Sequence, residues 1–265
     1  MKKYSIGFMT YVHRYESHFV PLFAELCRQR PDVEKVVFFN GQHKEKFHTE
    51  YRRKCLEEMS KYDNTFVHMS PVFRSFSHMV NTNINISSKE NILILNDDNV
   101  ASSSFLDDYE NALQEQTGSF LINRSFSHFS INKKDIIEVG YFDERLLGIG
   151  EEDGEWDFRY AKHHNIPENG GGMLTPSVSV NSLSHRCVYD TNECKNMKKV
   201  SGKYSTYNRE FICSNILVEE DEHVDGEYTR KGPYGRLLQM KNGLDTGTPN
   251  FYPGQIDFWR NGDKL

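Results

Sequence analysis

A chain of 265 residues, 37% hydrophobic and 26% charged, has material for one generous domain, or one domain with an extension, around a sizeable core. Its formal net charge of −6, with no stripe of Lys and Arg to offset it, excludes general affinity for nucleic acid. Five cysteines (Cys27, Cys55, Cys187, Cys194 and Cys213) are odd in number and form no CxxC pair, which predicts reduced thiols and not a disulfide framework.

In chain order, Tyr4 to Met9 reads as a strand ending in the polar turn Thr10-Tyr11-Val12-His13-Arg14. Phe19, Leu22, Phe23 and Leu26 then fall at i, i+3, i+4 and i+7 and predict a helix through about Arg28. Val33 to Phe39 is a second strand, closed by Asn40-Gly41, and a basic helix is expected over Lys44 to Lys61. A third strand follows near Thr65 to Met69, then a helix over Ser75 to Ser87. Ile92-Leu93-Ile94-Leu95 is too short for a helix and reads as a central parallel strand buried on both faces. The alternation of strand and helix predicts an α/β fold with a mostly parallel sheet flanked by helices.

Beyond this strand, Ser103 to Gln116 is expected to be helical and Ser119 to Ile122 a strand. Ile136 to Glu144 reads as a helix end and turn, and Leu147-Gly148-Ile149-Gly150 as a loop entering a helix that runs to His164. Gly170-Gly171-Gly172 precedes an expected strand over Leu174 to Val180. The boundaries expected are a domain over 1–218 and a Gly-, Pro- and charge-rich C-terminal extension over 219–265. The pentapeptide Arg-Ser-Phe-Ser-His occurs at 74–78 and 124–128, with no similarity around either copy, and is read as coincidence. Met1 to Ile6 lacks the apolar stretch of a signal peptide, and no run approaches the roughly 20 apolar residues of a membrane span. The expected location is cytoplasmic, with room for peripheral contact at the inner face of the membrane.

Two acidic constellations stand out. Asn96-Asp97-Asp98-Asn99 leaves the buried strand directly, and carboxylates there need a cation or water. Oxygen ligands at a strand end suit Mg2+ or Mn2+, and open α/β sheets bind ligands at the carboxyl ends of their strands. A solvated turn would use the same residue types. The second constellation, Glu151 to Asp157, has five acids in seven positions and includes Trp156. Acids at a helix start are ordinary because the dipole favours them, whereas an indole among carboxylates suits a sugar. His185, Tyr11 and Arg14 are scattered candidates near strand ends.

The order of these motifs carries a resemblance. Strand then Thr10-Tyr11-x-x-Arg14, strand then Asn40-Gly41, and strand then Asn96-Asp97-Asp98 precede Gly140-Tyr141-Phe142-Asp143-Glu144 and Gly-x-Gly-x-Glu152-Asp153. The chain resembles nucleotide-sugar-dependent glycosyltransferases of the GT-A (Rossmann-like) fold, closest to family 2, over about Lys3 to His185. Its Phe-Asp-Glu…Gly-Ile-Gly-Glu-Glu-Asp segment resembles the acceptor motif of the β-1,4-galactosyltransferase and polypeptide N-acetylgalactosaminyltransferase group. The resemblance implies that Asp98 and His185 bind Mn2+ or Mg2+ and that Asp153, beside Glu152, is the catalytic base. It further implies that Thr10, Tyr11, Arg14, Asn40, Asn96 and Asp97 hold the nucleotide sugar and that Trp156 touches a sugar. Asn96 departs from the usual first Asp of an Asp-x-Asp element, which leaves open whether Asp97 or Asp98 is the principal ligand.

The expected activity is inverting, metal-dependent transfer of a sugar from a nucleotide diphosphate sugar, UDP first, to a glycan or lipid-linked glycan hydroxyl in surface polysaccharide synthesis. One rival is a sugar nucleotidyltransferase, but Ser5 to Arg14 holds a single glycine where a phosphate loop is wanted. A non-catalytic glycan-binding module is the other, and it has no need of two carboxylate clusters.

Overall fold

The computed structural model describes residues 4–41, 49–146, 151–167, 173–185 and 208, with the backbone of 223–224 and 227–228. The chain divides into two compact units. The first comprises Met1–Arg74, His78–Gly140 and Pro176–Val188, and the second Ser75–Ser77, Tyr141–Thr175 and Tyr189–Leu265.

In the first unit the elements run β1 (Tyr4–Tyr11), α1 (Val20–Gln29), β2 (Glu34–Asn40), α2 (Thr49–Met59), β3 (Thr65–Met69), α3 (Phe76–Ile86, whose first two residues belong to the second unit) and β4 (Asn91–Asn96). They continue with β5 (Asn99–Ala101), α4 (Phe105–Glu115), β6 (Phe120–Ile122), β7 (Ser125–Asn132) and α5 (Lys133–Val139). In the second unit, α6 spans Glu152–His163. Back in the first, β8 (Ser177–Val178) and β9 (Leu183–His185) complete the set. Among the described residues the main sheet has seven strands in the order β3-β2-β1-β4-β7-β6-β8. The pairs β3-β2, β2-β1 and β1-β4 are parallel, as the alternating sequence pattern predicts. β7 is antiparallel to both β4 and β6, so β4 is a central strand with only one parallel neighbour.

The period of two sorts the side chains onto two faces. Phe8, Val37, Phe39, Leu93 and Leu95 join Phe19, Phe23, Tyr51, Phe105 and Tyr109 of the helical segments in one cluster of buried side chains. On the other face α3 crosses close to β1, and glycine at residue 7 makes room: a Cβ there would lie 2.8 Å from Ile94 Cδ1 and 3.2 Å from Asn83 Cβ. Asn83 Nδ2 donates to the Phe8 carbonyl at 3.0 Å and fixes that crossing. At the amino end of the sheet, buried Glu34 accepts from Ser5 Oγ (2.6 Å) and from Ser88 N (2.7 Å). Burial would raise its pKa, yet these donors hold it below the usual carboxylate range.

The carboxyl end of β2 is pinned differently. Asn40 Oδ1 accepts from the backbone N–H of Gly41 (3.0 Å) and Arg74 (2.8 Å), while its Nδ2 donates to Arg74 O (3.0 Å). A Cβ on Gly41 would overlap the Val72 backbone, with N and O both at 2.6 Å. Gly41→Ala is therefore expected to cost about 1–3 kcal/mol in urea unfolding, because backbone cannot rotate aside. Gly7→Ala should cost less, since the Ile94 methyl can move.

Several sequence expectations need correction. The strand expected over Leu174 to Val180 shrinks to Ser177–Val178, because the N–H groups of Leu174 and Thr175 are taken by the Asp157 carboxylate at 2.7–3.1 Å and Pro176 follows. The polar turn expected at Thr10-Tyr11 is still strand, in register with Phe39 and Asn40, and a single π turn over Tyr15–Phe19 leads into α1. Three strands, β5, β7 and β9, were not expected at all. The repeated pentapeptide opens α3 in its first copy and lies in β7 in its second, so its surroundings decide its conformation. Cys27 and Cys55 are free and buried, in line with reduced thiols.

The Leu147–Gly150 loop, residues 44–48 of the expected basic helix, Gly170–Gly172, and Cys187, Cys194 and Cys213 lie outside the described residues. So does the 219–265 extension apart from two short backbone segments, His223–Val224 and Glu227–Tyr228, which pair antiparallel. No helix among the described residues is long and apolar enough to cross a membrane.

Candidate active site

Parallel strands β1, β2 and β4 end side by side, and the polar residues that follow their apolar runs therefore gather on one rim. The register sets Tyr11 against Asn40 and Met9 against Asn96. Asp97, 4% exposed, takes the Thr10 hydroxyl at 2.8 Å and the Arg14 guanidinium at 3.0 Å. Arg14 reaches Asp98 Oδ2 with the same Nη1 at 3.2 Å and lies 5.6 Å from the centroid of the Tyr11 ring. Arg14 is placed by its own backbone: its N–H donates to Tyr11 O, and its carbonyl receives the His18 and Phe19 N–H groups of the π turn. Burial and the Asp98 charge push Asp97 up to about 6, against the pull of Arg14. For Arg14 itself, burial acts downward, but Asp97, Tyr11 and Asp98 together outweigh it and secure the positive charge.

β5 pairs antiparallel with β9, setting Asn99 opposite His185. That pairing brings His185 Nδ1 to 3.9 Å from Asp98 Oδ1, so the expected His does reach the carboxylate turn. Asn99 Nδ2 bonds the carbonyls of Asn96 (2.8 Å) and Ser127 (3.1 Å), which ties the turn to β7. His128, the residue after Ser127, is buried at 2% exposure with its ring centroid 4.8 Å from that of His185. Burial, with His185 beside it, pushes His128 down to about 4, so its ring is neutral. Sequence reasoning passed over His128, although the alternation Ser125-Phe126-Ser127-His128 is a strand signal that would have placed it.

Asn40 is brought to the rim, where its amide is committed to the Gly41 and Arg74 backbone. Thr10 likewise orients Asp97 from a buried position.

In the second unit, Glu151 takes a left-handed backbone (φ 75°) and α6 begins at Glu152. The acids behind it are not a solvated face. Glu155 forms a two-point ion pair with Arg159 (2.5 and 2.7 Å), and Asp157 binds the backbone of 174 and 175. Glu152 is buried. Asp153 accepts the Gly154 N–H at 2.8 Å, and desolvation, aided by the charge of Glu151, raises it to about 6. Trp156 is a correction: it is fully buried, 5.3 Å from Phe142 at 10° and 5.1 Å from Tyr160 at 29°, and presents no face for a sugar. It joins Phe142 of the Phe-Asp-Glu segment to α6 as core.

Comparison with known proteins fits this arrangement. The family described as Glycosyltransferase like family 2 matches residues 58–199. The chain belongs to that family. Its structure is similar to S. aureus TarS, with a TM-score of 0.57 at 14% identity over 83% of this chain and 41% of TarS. The chain thus spans well under half of that TarS chain. TarS 1–349 in complex with UDP-GlcNAc gives a TM-score of 0.51 at 11% identity, over 97% of this chain and 80% of the other. The mannosyltransferase PcManGT from Pyrobaculum calidifontis, in complex with GDP-Man and Mn2+, gives 0.55 at 11% identity over 99% and 76%. At such identities these likenesses concern the fold, and the fold of this family-2-like chain is GT-A. No curated protein has a sequence that matches it.

Proposed function

We propose that this chain transfers a sugar, with inversion, from a nucleotide diphosphate sugar to the hydroxyl of a glycan or lipid-linked glycan, in a metal-dependent reaction. The carboxylate turn at the end of β4 in a family-2-like chain carries the reading, because two acids follow a strand whose Ile92–Leu95 run is buried, on the ligand-binding rim. The donor set fits a hard divalent cation: Asp98 Oδ1 is buried without a hydrogen-bond partner and faces His185. Asp98 and His185 would hold Mn2+ or Mg2+, which when bound supplies positive charge for the departing diphosphate. Asp97, fixed by Thr10 and Arg14, then serves the nucleotide side of the rim beside Tyr11 and Asn96. UDP is the first nucleotide to try, in surface polysaccharide synthesis.

Asp153, with Glu152 beside it, is assigned as the base. An acceptor hydroxyl is a poor nucleophile until its proton is removed, and a carboxylate raised to about 6 is a better base than an ordinary one while still ionised at neutral pH. The likeness of Phe142-Asp143-Glu144…Glu152-Asp153 to the acceptor motif of galactosyl- and N-acetylgalactosaminyltransferases supports this role. We assign residues 1–218 to the catalytic domain and 219–265 to an extension on or near the active site, which leaves peripheral membrane contact open to it.

The test is thermal melting against UDP, GDP and their sugars with Mn2+, Mg2+ or EDTA. A ligand at 100 times its Kd adds about 2.7 kcal/mol, a shift of several degrees. The expected result is a cation-dependent rise with one nucleotide, lost in Asp98→Ala. No rise with any nucleotide would favour a glycan-binding module, and release of pyrophosphate from a nucleoside triphosphate and a sugar phosphate would favour a nucleotidyltransferase.

A further inference from the structure

Towards the carboxyl ends of β2 and β3, on the face that α3 crosses, three nitrogen-bearing side chains meet. Phe38 and Asn40 share that face because side chains alternate along β2, and His68 of β3 lies in register with Phe38. The His68 ring rests 4.6 Å from the Phe38 ring at 32°, and His78 of α3 approaches the same ring edge-on at 6.0 Å. Arg74 arrives beside them because Asn40 clamps its backbone, and its side chain is exposed. Arg74 and His78 are the two ends of the first Arg-Ser-Phe-Ser-His copy. Burial holds His68 below the usual imidazole range, and the charges of His78 and Arg74 add to that effect with no acid opposing them. This is the reverse of the pairing seen elsewhere in the chain. Arg14, Arg28, Arg30, Arg53, Arg145 and Arg159 each hold a carboxylate. The Arg74 guanidinium and the His68 ring make no hydrogen bond or ion pair among the described residues.

We propose that Arg74, His68 and His78 form a binding site for a phosphate group, separate from the carboxylate turn. Like charges side by side repel one another until an anion joins them, and a phosphate supplies both the charge and the acceptor oxygens. Arg74 offers N–H groups in a planar fork that matches two phosphate oxygens, and the His68 ring donates an N–H to a third. His78 adds positive charge as it protonates. The sheet order puts β3 three strands from β4, about 14 Å at the usual spacing, so a phosphate held here is not one bound beside Asp98. The site stands independently of the transferase reading. Because a dianion favours the charged imidazoles, its binding draws protons onto the protein and strengthens as pH falls.

The experiment follows the histidine ring resonances of the full chain by NMR, in EDTA, as sulfate, inorganic phosphate or dimethyl phosphate is added. Sulfate does not titrate near neutrality, so its pH dependence reports on the protein alone. The expected result is saturable movement of His68 and His78 with one shared Kd of about 1 mM or tighter. Sulfate should bind at least about threefold more tightly at pH 6 than at pH 8, as His68 takes up its proton. Arg74→Gln should weaken sulfate about tenfold or more, through loss of the charge-assisted bonds of the guanidinium. Arg124→Gln, at the start of the second pentapeptide copy, is the control and should change nothing. Both arginines are exposed, so neither change disturbs packing. Tighter binding of phosphate than of dimethyl phosphate assigns the site to a terminal phosphate, and the reverse order to a phosphodiester link. Movement that does not saturate, that is equal at pH 6 and pH 8, or that survives Arg74→Gln unchanged reflects a loose ion atmosphere and overturns the site.

Discussion

Asp153→Asn should slow sugar transfer by about 10²–10⁴-fold while nucleotide-induced melting shifts stay near wild type. The amide keeps the shape and the Gly154 contact but cannot accept the acceptor proton. In the wild type, kcat should fall as pH drops through about 6, because the base is active only when ionised. The same change should stabilise the fold. Asp153 has its pKa raised from 3.8 to about 6, so the folded protein favours the neutral form. Its contribution to stability is present below about 3.8 and lost as pH rises through about 6. The upper bound is about 3 kcal/mol, and the partial exposure of Asp153 reduces it to about 1–2 kcal/mol. Urea melts at pH 8 should therefore show Asp153→Asn to be the more stable protein, with the gap closing near pH 4. An active variant would move the base elsewhere; an inactive variant with no gain at pH 8 would mean that Asp153 is not held in a desolvating site.

The parts of the fold that follow from local pattern were legible. Ile92 to Leu95 announced a buried strand by composition, and the alternation from Tyr4 onward announced parallel pairing. What was not legible depended on partners distant in sequence. β7 carried a strand alternation that went unread, but its register to β4 is a property of the sheet and not of the segment. His128 acquires meaning only through that register. The acidic run at Glu151–Asp157 looked like a helix start facing water, but Arg159 four residues on from Glu155 and the backbone of 174 and 175 turn two of its acids inward. Trp156 looked like a sugar platform because its neighbours in sequence are charged, whereas its neighbours in space are Phe142 and Tyr160. Asn40 looked like a ligand because it ends a strand, and the same position makes it the clamp for Arg74.

Removing the Arg14 charge, as in Arg14→Met, should destabilise the chain by about 3–5 kcal/mol at pH 8 in EDTA, among the largest losses expected of any single substitution here. The reason is Asp97. With 4% exposure and, among the described residues, only the Thr10 hydroxyl remaining, its carboxylate would be a buried charge without a counter-ion. Methionine retains most of the arginine stem, so lost packing is a minor part of the effect. The pH dependence follows from the sign of the shift. Asp97 is already raised from 3.8 to about 6 with Arg14 opposing that rise, and loss of Arg14 raises it further. A raised folded pKa withdraws stability as pH increases through it, so the deficit of Arg14→Met grows towards pH 8 and shrinks towards pH 5, where a proton replaces the guanidinium. The double variant Arg14→Met/Asp97→Asn should recover most of the loss, since a neutral amide can still accept from Thr10. Additive losses in that cycle, or a deficit equal at pH 5 and pH 8, would mean that the pair is not coupled in the folded protein. Recovery would establish that the arginine following β1 maintains the charge on the turn at the end of β4, the state that the proposed donor site requires.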